Sequence, residues 1–380
     1  MAGIFGNIIK KTLITINVAA GIAMLSLYAL PYANQQYFGW FNLLAIGFPV
    51  LLLIQFLFLL LWLLVNPRLV VIPLFLCILS YKLILSFVSM GKSESTDTTQ
   101  KNRFRVFSWN VHMFNFYEHK GKHSQAMIQK VRNLEADVFC AQEVIYDPKS
   151  GSITSLENLK KRLGYPYAVT ANDYAFGAFT NHKKPTREYH PFCLVIFSKL
   201  PILKWGKIQS SPNYYHTFLW ADILLGKDTV RFFNIHFQSL QFVKNDYHFI
   251  DNIDKQERQE MGEQSKSILR KMKLAGQKRA KQVVHVEKAI RNSPHPVILC
   301  GDFNDVPNSY AYQRIRRQLH DAFLEKGRGI GRTFRLLAPT LRIDYIFHDS
   351  SLNPQSFKVH EWELSDHYGL EAAFSLPSAP

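Results

Sequence analysis

The chain has 380 residues, 47% of them hydrophobic, and a formal net charge of +16. This length suffices for a large core or for a folded domain joined to a membrane part, and it contains no internal repeat or low-complexity tract. None of the four cysteines has CxxC spacing, which favours buried thiols over disulfides or a zinc site.

Three apolar stretches near the N-terminus approach or exceed the roughly 20 residues that cross a bilayer as a helix. Residues 12–30 and 38–65 carry no charge, and residues 69–90 carry only Lys82. We therefore predict a membrane anchor of three transmembrane helices over residues 1–90. Two alternatives stay open: the first stretch has the form of a cleavable signal peptide, and the third that of a core helix.

The charges around these stretches predict an orientation. Lys10 and Lys11 precede the first stretch and Arg68 lies between the second and third, whereas residues 34–37 are uncharged. The positive-inside rule then places the N-terminus in the cytoplasm and the chain after the third stretch outside. Basic residues directly after that stretch argue for the opposite orientation. We expect an integral protein of a bacterial inner membrane with an extracytoplasmic domain.

The rest of the chain is strongly basic. Residues 91–102 are polar and form a predicted linker, so the folded domain covers residues 103–380. After residue 90 the chain holds 41 basic and 29 acidic residues, a net charge of +12. A domain with this net positive charge is expected to bind polyanions or an anionic membrane surface.

The folded domain alternates short β-rich runs with helical segments, which predicts an α/β fold with stacked sheets. Helical spacing occurs in residues 124–135, 152–164 and 255–291. The predicted strands are RFRVFSWNV, ADVFCAQEV, PFCLVIFS, TVRFFNIHF, PVILCGDFN, LRIDYIFHD and GLEAAFSL.

Several of these strands end on polar residues. Each one alone is typical of a turn, a helix cap or a core histidine. Their shared position matters more, because sheet domains collect ligands at the edge where loops leave the strands. The residues are Asn110, Gln142, Glu143, His236, Asp302, Asn304, Asp344, Ser365, Asp366 and His367.

Phosphoester hydrolysis would use this set of side chains. It needs a divalent metal held by hard oxygen ligands, a base for water, and donors that contact the phosphate. Glu143 and Asp366 suit the metal, and Asp302 suits the water. Asp344 suits the orientation of an imidazole, and the phosphate contacts would come from His236, Asn304 and His367.

The order of these residues along the chain resembles that of the endonuclease/exonuclease/phosphatase superfamily. The ordered set is Asn110, Gln142-Glu143, His236, Gly301-Asp302-Phe303-Asn304, Asp344 and Ser365-Asp366-His367. The resemblance covers residues 103–376. It implies a four-layer sandwich, two β-sheets face to face with helices outside, and dependence on Mg²⁺ or Mn²⁺.

The resemblance also implies roles for individual residues. Glu143 would bind the metal with help from Asp366, and Asn110 would help to place metal and phosphate. Asp302 would act on the attacking water, and Asp344 would orient His367. His236, Asn304 and His367 would contact the phosphate. One departure is that Phe192 and Cys193 stand where relatives frequently have a glycine, which concerns the substrate wall.

Three functions compete. The preferred prediction is a membrane-anchored nuclease, because the basic domain could follow phosphates and an aromatic and basic loop could stack on bases. The alternative is a phosphoesterase for lipid or small head groups, and a third is an inactive binding domain. The residues of the aromatic and basic loop are Tyr174, Phe176, Phe179, Lys183, Lys184 and Arg187.

The basic residues within 271–281 and 314–317 are interpreted as solvated helix faces.

Overall fold

The computed structural model describes a helical N-terminal segment followed by a domain of two stacked β-sheets. The sheets and their flanking helices form the predicted four-layer sandwich. The described residues are 2–33, 35, 39–92, 103–115, 122–145, 155–175, 191–209, 217–240 and 258–376.

Nine α-helices lie within the described residues. The first four belong to the N-terminal segment and the other five to the sandwich. They are α1 Ala2–Ser26, α2 Asn42–Val65, α3 Val71–Leu79, α4 Tyr81–Phe87, α5 Lys122–Leu134, α6 Leu156–Leu163, α7 Arg258–Arg291, α8 Tyr310–Arg316 and α9 Ala322–Lys326.

The described strands form one short two-stranded pair, β1 with β11, and two large sheets. They are β1 Ser89–Met90, β2 Arg103–Asn110, β3 Val138–Ile145, β4 Tyr167–Ala175, β5 Pro191–Ser198, β6 Ile202–Gln209, β7 Thr217–Leu225, β8 Asp228–His236, β9 Val297–Asp302, β10 His320–Asp321, β11 Arg328–Gly329, β12 Asp344–His348, β13 Asn353–His360 and β14 Gly369–Ser375.

Each large sheet has six strands, in the orders β10-β12-β9-β8-β7-β6 and β13-β14-β2-β3-β5-β4. The facing sides form one apolar core that includes Val106, Ile196, Phe232 and Ile298. On the outer face of the second sheet, a separate core around Phe139 includes residues of α5 and α6. The central strands β2, β3 and β9 are buried on both faces, as expected when both faces of a sheet are covered.

Two parallel pairs bring the polar strand ends to one edge. β2 pairs in parallel with β3 after the crossover through α5, and β8 pairs in parallel with β9 after the crossover through α7. The carboxyl ends of parallel neighbours meet at the same edge of a sheet. The ends of β2 and β3 are therefore neighbours in one sheet and the ends of β8 and β9 in the other, and the hydrogen bond from Asn110 to Asp302 joins the two sets.

Two N-terminal helices are long and apolar enough to cross a membrane, over Asn7–Tyr32 and Gly39–Val65. The third apolar stretch, predicted as one transmembrane helix, is divided into Pro67–Leu79 and Tyr81–Phe87, which are bent by 64°. This pair counts as a span only if it is taken as one broken helix. The stretch bends because α4 packs Leu83 and Phe87 into the core of the sandwich domain.

Polar side chains join the first two helices inside the apolar segment. Asn17 of α1 donates to Gln55 of α2 over 2.7 Å and accepts a hydrogen bond from Trp62 over 3.2 Å. Asn17 and Gln55 are fully buried. Such bonds hold apolar helices together where water is excluded.

The N-terminal segment and the sandwich share one continuous core. The Asn42 side chain of α2 accepts a hydrogen bond from the backbone of Tyr310, and Asn308 donates to the Leu83 carbonyl over 3.0 Å. β1 pairs with β11, so the domain engages the chain before the predicted linker. Apolar members of this core include Met24, Leu27, Phe48, Phe87, Val283, Val286 and Tyr312.

Most predicted elements are confirmed, including the three helical segments and the seven strands. The sequence reasoning missed β4, β6, β7 and β13, in which exposed or charged residues interrupt the apolar pattern. Cys140, Cys193 and Cys300 are buried free thiols, as predicted. The linker residues 93–102 and the predicted base-stacking loop, apart from the Tyr174 backbone, lie outside the described residues.

One prediction about the charged helix faces was wrong. Arg279, within the segment interpreted as a solvated face, is only 1% exposed and donates to Asp305 over 3.0 Å and to the Gln238 carbonyl over 3.1 Å. A buried guanidinium needs such partners to offset its desolvation. Arg279 thus attaches α7 to the loop after β9.

A second buried ion pair joins the sandwich to α4. Arg342 donates to Asp321 over 2.6 Å and to the Ser86 carbonyl over 2.9 Å. Arg342→Met should lower the free energy of unfolding by about 3 kcal/mol, because it leaves the Asp321 carboxylate buried without a cation. Urea unfolding in detergent, followed by tryptophan fluorescence, measures this change.

Two further variants complete this test. Arg291→Met removes an exposed arginine and should change stability little. Adding Asp321→Asn to Arg342→Met should recover part of the loss. A single variant as stable as Arg291→Met would contradict a stabilising role for the pair.

Candidate active site

Three of the predicted residues lie side by side on neighbouring strands. His236 at the end of β8 pairs with Asp302 at the end of β9, and Asp302 pairs with Asp344 at the start of β12. All three side chains are almost completely buried. The strand register therefore places an imidazole and two carboxylates in one row at the sheet edge.

Gly301 makes this row possible. Its φ of +151° lies in a region that favours glycine, and a Cβ there would lie 2.0 Å from the carbonyl oxygen of Ile235 on the adjacent strand. A side chain at this position would separate β8 from β9. The glycine thus allows the close approach that brings His236 beside Asp302.

Asp302 is held by several hydrogen bonds. Its carboxylate accepts from the Asn110 side chain over 3.1 Å, from the Asn304 backbone over 2.7 Å and from the Asn304 side chain over 3.2 Å. The Asn304 side chain also donates to the Phe237 carbonyl over 3.1 Å. These contacts fix the carboxylate and Asn304 together, and Asn304 adopts a φ of 49°.

His367 forms a dyad with Asp344. Its Nδ1 lies 2.9 Å and 3.1 Å from the two Asp344 oxygens, and its Nε2 lies 3.7 Å from Asp302. The ring of Phe334 packs edge-on against the imidazole, with centroids 5.0 Å apart. Trp109 donates to the His367 carbonyl over 2.9 Å. Asp344 thus orients an imidazole whose other nitrogen faces Asp302.

Glu143 and Asp366 lie on the other side of this row. Glu143 has a left-handed φ of 52° beside a bulge in the pairing of β3 with β5. Bulges and such backbone conformations commonly aim a side chain into a functional site. His112 Nδ1 lies 3.3 Å from Asp366 and 4.0 Å from Glu143, so the two carboxylates converge.

The converging carboxylates fit a divalent cation. Glu143 and Asp366 are partly exposed to the cleft, at 19% and 25% of their side chains, and their oxygens are the hard ligands that Mg²⁺ and Mn²⁺ take. Asp302, Asp344 and His367 also lie close enough to hold an ion. In that group, however, the Asp344 oxygens already bond His367 Nδ1, which is the geometry of an oriented imidazole.

Charge and burial shift the pKa values of this cluster. Burial raises the pKa of Asp302, the nearby Asp344 charge adds to that rise, and the imidazoles of His367 and His236 oppose it. Burial lowers the pKa of His367, but the charges of Asp344, Asp302 and Asp366 outweigh it and place that pKa well above its usual value. Burial raises the pKa of Asp366, yet His367 and His112 bring it far below its usual range.

Asn110 and Gln142 end the neighbouring strands β2 and β3 and pair with each other. Asn110 donates to Asp302, and its side-chain oxygen accepts from the His112 backbone over 3.1 Å. Gln142 points between the sheets, where it donates to Asn234 over 2.7 Å. Asn110 therefore belongs to the cluster, whereas Gln142 ties the two sheets together beneath it.

The cluster lines one side of a cavity of about 670 Å³. Acidic and imidazole groups form this side, including Glu143, Asp302, Asp366 and His367. The opposite side is apolar and comes from α2, α7 and the loop before β12. Its half-buried members are Ile46, Ile268, Met272, Leu337 and Leu341.

The comparison with family models identifies this arrangement. Residues 107–367 match the endonuclease/exonuclease/phosphatase family. The chain belongs to that family. Its members are metal-dependent hydrolases of phosphate ester bonds, and so is this enzyme. A second model, a domain of unknown function (DUF8431), matches residues 10–87, and the comparison with curated proteins found no match.

Solved structures show the same sandwich as this family member. An endonuclease/exonuclease/phosphatase from Beutenbergia cavernae is 18% identical, with a TM-score of 0.52, over 74% of this chain and 73% of that one. A family protein from Bacteroides vulgatus is 17% identical, with a TM-score of 0.50, over 73% and 100% of the two chains. One from Leptotrichia buccalis is 16% identical, with a TM-score of 0.50, over 72% and 100%. At these identities the likeness supports the fold alone.

All eight predicted site residues lie in one cluster, at the strand ends and in the loops that follow them. They are Asn110, Glu143, His236, Asp302, Asn304, Asp344, Asp366 and His367. The sequence reasoning missed His112 and the apolar side of the cavity. His112 stands two residues after Asn110, so its place in the motif was the available signal. Ile46 had no such signal, because it lies in an apolar helix far from the motifs.

The His367–Asp344 dyad generates a prediction about pH. Asp344→Asn removes one of the negative charges that hold the pKa of His367 high. His367 should then lose its proton at lower pH. If activity depends on the protonated imidazole, the alkaline limb of the pH profile should therefore shift to lower pH. The measurement is kcat/KM against pH for a soluble phosphodiester.

Glu371→Gln is the matched control for this change. Its carboxylate lies 2.8 Å from His360 Nε2, in a pair on β13 and β14 that does not line the cavity. This variant should keep the parent pH profile. An unchanged alkaline limb in Asp344→Asn would show that His367 does not act through its proton.

Proposed function

We propose that this enzyme hydrolyses the phosphodiester bond of an amphiphilic membrane lipid with the aid of Mg²⁺ or Mn²⁺. The single observation behind this proposal is that the catalytic cluster and a residue of a membrane-length helix line the same cavity. The acidic side suits a metal-dependent reaction at phosphate. The apolar side suits a hydrocarbon chain.

Ile46 carries the argument about the substrate. It lies one turn into α2, within the apolar helix Gly39–Val65, and still lines the cavity of Glu143 and Asp302. Ile268 and Met272 of α7 continue the apolar side, four residues apart and thus on one helix face. A lipid leaving the bilayer beside α2 would keep apolar contact up to the metal site.

The proposed chemistry assigns each polar group a step. Glu143 and Asp366 would hold the metal, which supplies polarisation of the phosphate and of the attacking water when bound. Asp302 accepts the proton of that water, fixed in place by Asn110 and Asn304. His236, Asn304 and His367 contact the phosphate, and Asp344 keeps His367 oriented. The water oxygen bonds to phosphorus as the P–O bond to the leaving alkoxide breaks, and the alkoxide takes a proton from solvent water, which balances the proton accepted by Asp302.

Nucleic acid is the second candidate substrate. The net charge of +12 after residue 90 favours it, because Lys and Arg neutralise phosphates along a strand. Against it, the described residues that line the cavity include no Lys or Arg. The basic residues of α7 instead share an exposed surface with Leu269 and Leu274, a composition that suits the surface of an anionic membrane.

The proposed location is the inner membrane of a bacterium, with the catalytic domain outside the cytoplasm. Lys10, Lys11 and Arg68 support this orientation through the positive-inside rule. The C-terminal end of α1 and the N-terminal end of α2 contact the catalytic domain. The three charges lie toward the opposite ends of these two helices. A lipid substrate is available in either leaflet, so the proposed reaction does not depend on the orientation.

The metal role of Glu143 has its own prediction. Glu143→Gln keeps the size of the side chain but removes the charge that attracts the cation, so half-maximal activity should require a higher Mg²⁺ concentration. Titration of activity with Mg²⁺ measures this change. Glu157→Gln, at an exposed carboxylate of α6, should respond as the parent does. An unchanged metal response in Glu143→Gln would remove that residue from the metal site.

The substrate class can be tested on the full-length protein in detergent. Mixed phospholipid vesicles, plasmid DNA and RNA are offered with Mg²⁺, and Asp302→Asn serves as the inactive blank. Loss of a general base should cost on the order of 100-fold or more in rate. We expect release of a head group by the parent only. Cleavage of nucleic acid with lipid untouched, suppressed by salt, would establish the nuclease instead.

Met272→Gln tests the apolar side of the cavity in the same assay. It should lower kcat/KM for the lipid about tenfold, since a polar group replaces an apolar contact, and leave a short soluble phosphodiester unaffected. Leu203→Gln is the control, because Leu203 is exposed on β6 and is not among the described residues that line the cavity. Equal losses on both substrates would contradict the chain-binding role.

A further inference from the structure

A second cavity, of about 790 Å³, lies where the N-terminal helices meet the catalytic domain. Its sides come from the end of the first membrane-length helix, from α4 and from α8. It shares no lining residue with the catalytic cavity. It is therefore separate from the cavity of the candidate active site.

Three cationic side chains from two different parts of the chain line this cavity. Lys82 comes from α4, whereas Arg316 and Arg317 come from the end of α8. All three are exposed, and none forms an ion pair within the described residues. Their positive charge is therefore available to an anion that enters the cavity.

Neighbouring groups hold these cations at the cavity. The Arg317 guanidinium lies 4.2 Å from the centroid of the Tyr32 ring, within range of a cation–π contact. Arg316 contacts the Ser86 hydroxyl at 3.5 Å. The acidic residue among the lining residues, Glu325, is engaged elsewhere, at 3.1 Å from His320 and 3.5 Å from His348.

Apart from Gln313, the remaining lining is largely apolar, and most of it comes from the N-terminal helices. Tyr28 and Pro31 come from the first membrane-length helix, and Leu83, Leu85 and Val88 come from α4 and the residue after it. Leu85 is 53% exposed. The cavity thus combines cations with an apolar wall at the place where the N-terminal helices meet the domain.

The position of the arginines in the last turn of α8 offers a simpler explanation. Basic residues there interact favourably with the carbonyl end of the helix. That effect does not account for Lys82, which lies on a different helix, nor for the contact of Arg317 with Tyr32. Convergence of all three on one cavity indicates a common ligand.

We infer that this cavity binds the phosphate head group of an anionic phospholipid. Lys82, Arg316 and Arg317 contact the phosphate, while Leu85 and Val88 contact the start of the acyl chains. Basic pockets beside membrane helices recognise anionic head groups in this manner. The inference does not depend on the proposed reaction, since the catalytic cluster takes no part in it.

The test uses the full-length protein in detergent with EDTA, and measures the thermal unfolding midpoint as lipid is added. Phosphatidylglycerol should raise the midpoint of the parent, and phosphatidylcholine should not. Arg316→Gln with Arg317→Gln should need roughly tenfold or more phosphatidylglycerol for the same shift. Both arginines are exposed, so the double variant should fold.

A charge-matched control separates a site from general attraction. Lys204→Gln with Lys207→Gln removes two exposed cations of β6, away from the cavity, and should bind as the parent does. An equal loss in this control would overturn the inference. So would an equal midpoint shift with inorganic phosphate alone, which would assign the cavity to a free anion.

Discussion

The cavity of the candidate active site depends on the packing of the N-terminal helices against the outer face of one sheet. Met24, Phe48 and Phe87 share a core with residues of α7 and α8, so the domain is not simply tethered to the helices. The burial of these apolar side chains holds the N-terminal helices and the sandwich domain in one arrangement. Because of it, Ile46 of a membrane-length helix becomes a wall of the cavity.

Backbone constraints at the strand ends serve the same cavity. Gly301 permits the contact between β8 and β9, and Glu143 and Asn304 adopt left-handed conformations that aim their side chains at the cluster. Such conformations persist only where surrounding contacts determine them. At Asn304 these contacts are the bonds to Asp302 and Phe237, so the rigidity of the site comes from polar groups above an apolar core.

The net charge of the domain and the residues that line the cavity favour different substrates, because the charge is unevenly distributed. A net charge of +12 suggests a polyanion, yet the described cavity lining carries acidic groups and no Lys or Arg. Some of the exposed cations lie instead on α4, α7 and α8, close to the core that the N-terminal helices share with the domain. Basic residues in that position attract an anionic bilayer surface through the same electrostatics that would attract nucleic acid.

The sequence by itself determined the elements and the chemistry: apolar runs long enough to span a bilayer, strands with the right composition, and polar residues at their ends. These are local properties, since periodicity, turn residues and residue type are written in short stretches. Only the tertiary structure decided that the third apolar stretch bends, that Arg279 is buried, and that Ile46 lines the same cavity as the candidate active-site cluster. Those facts depend on contacts between distant segments, which no local pattern records.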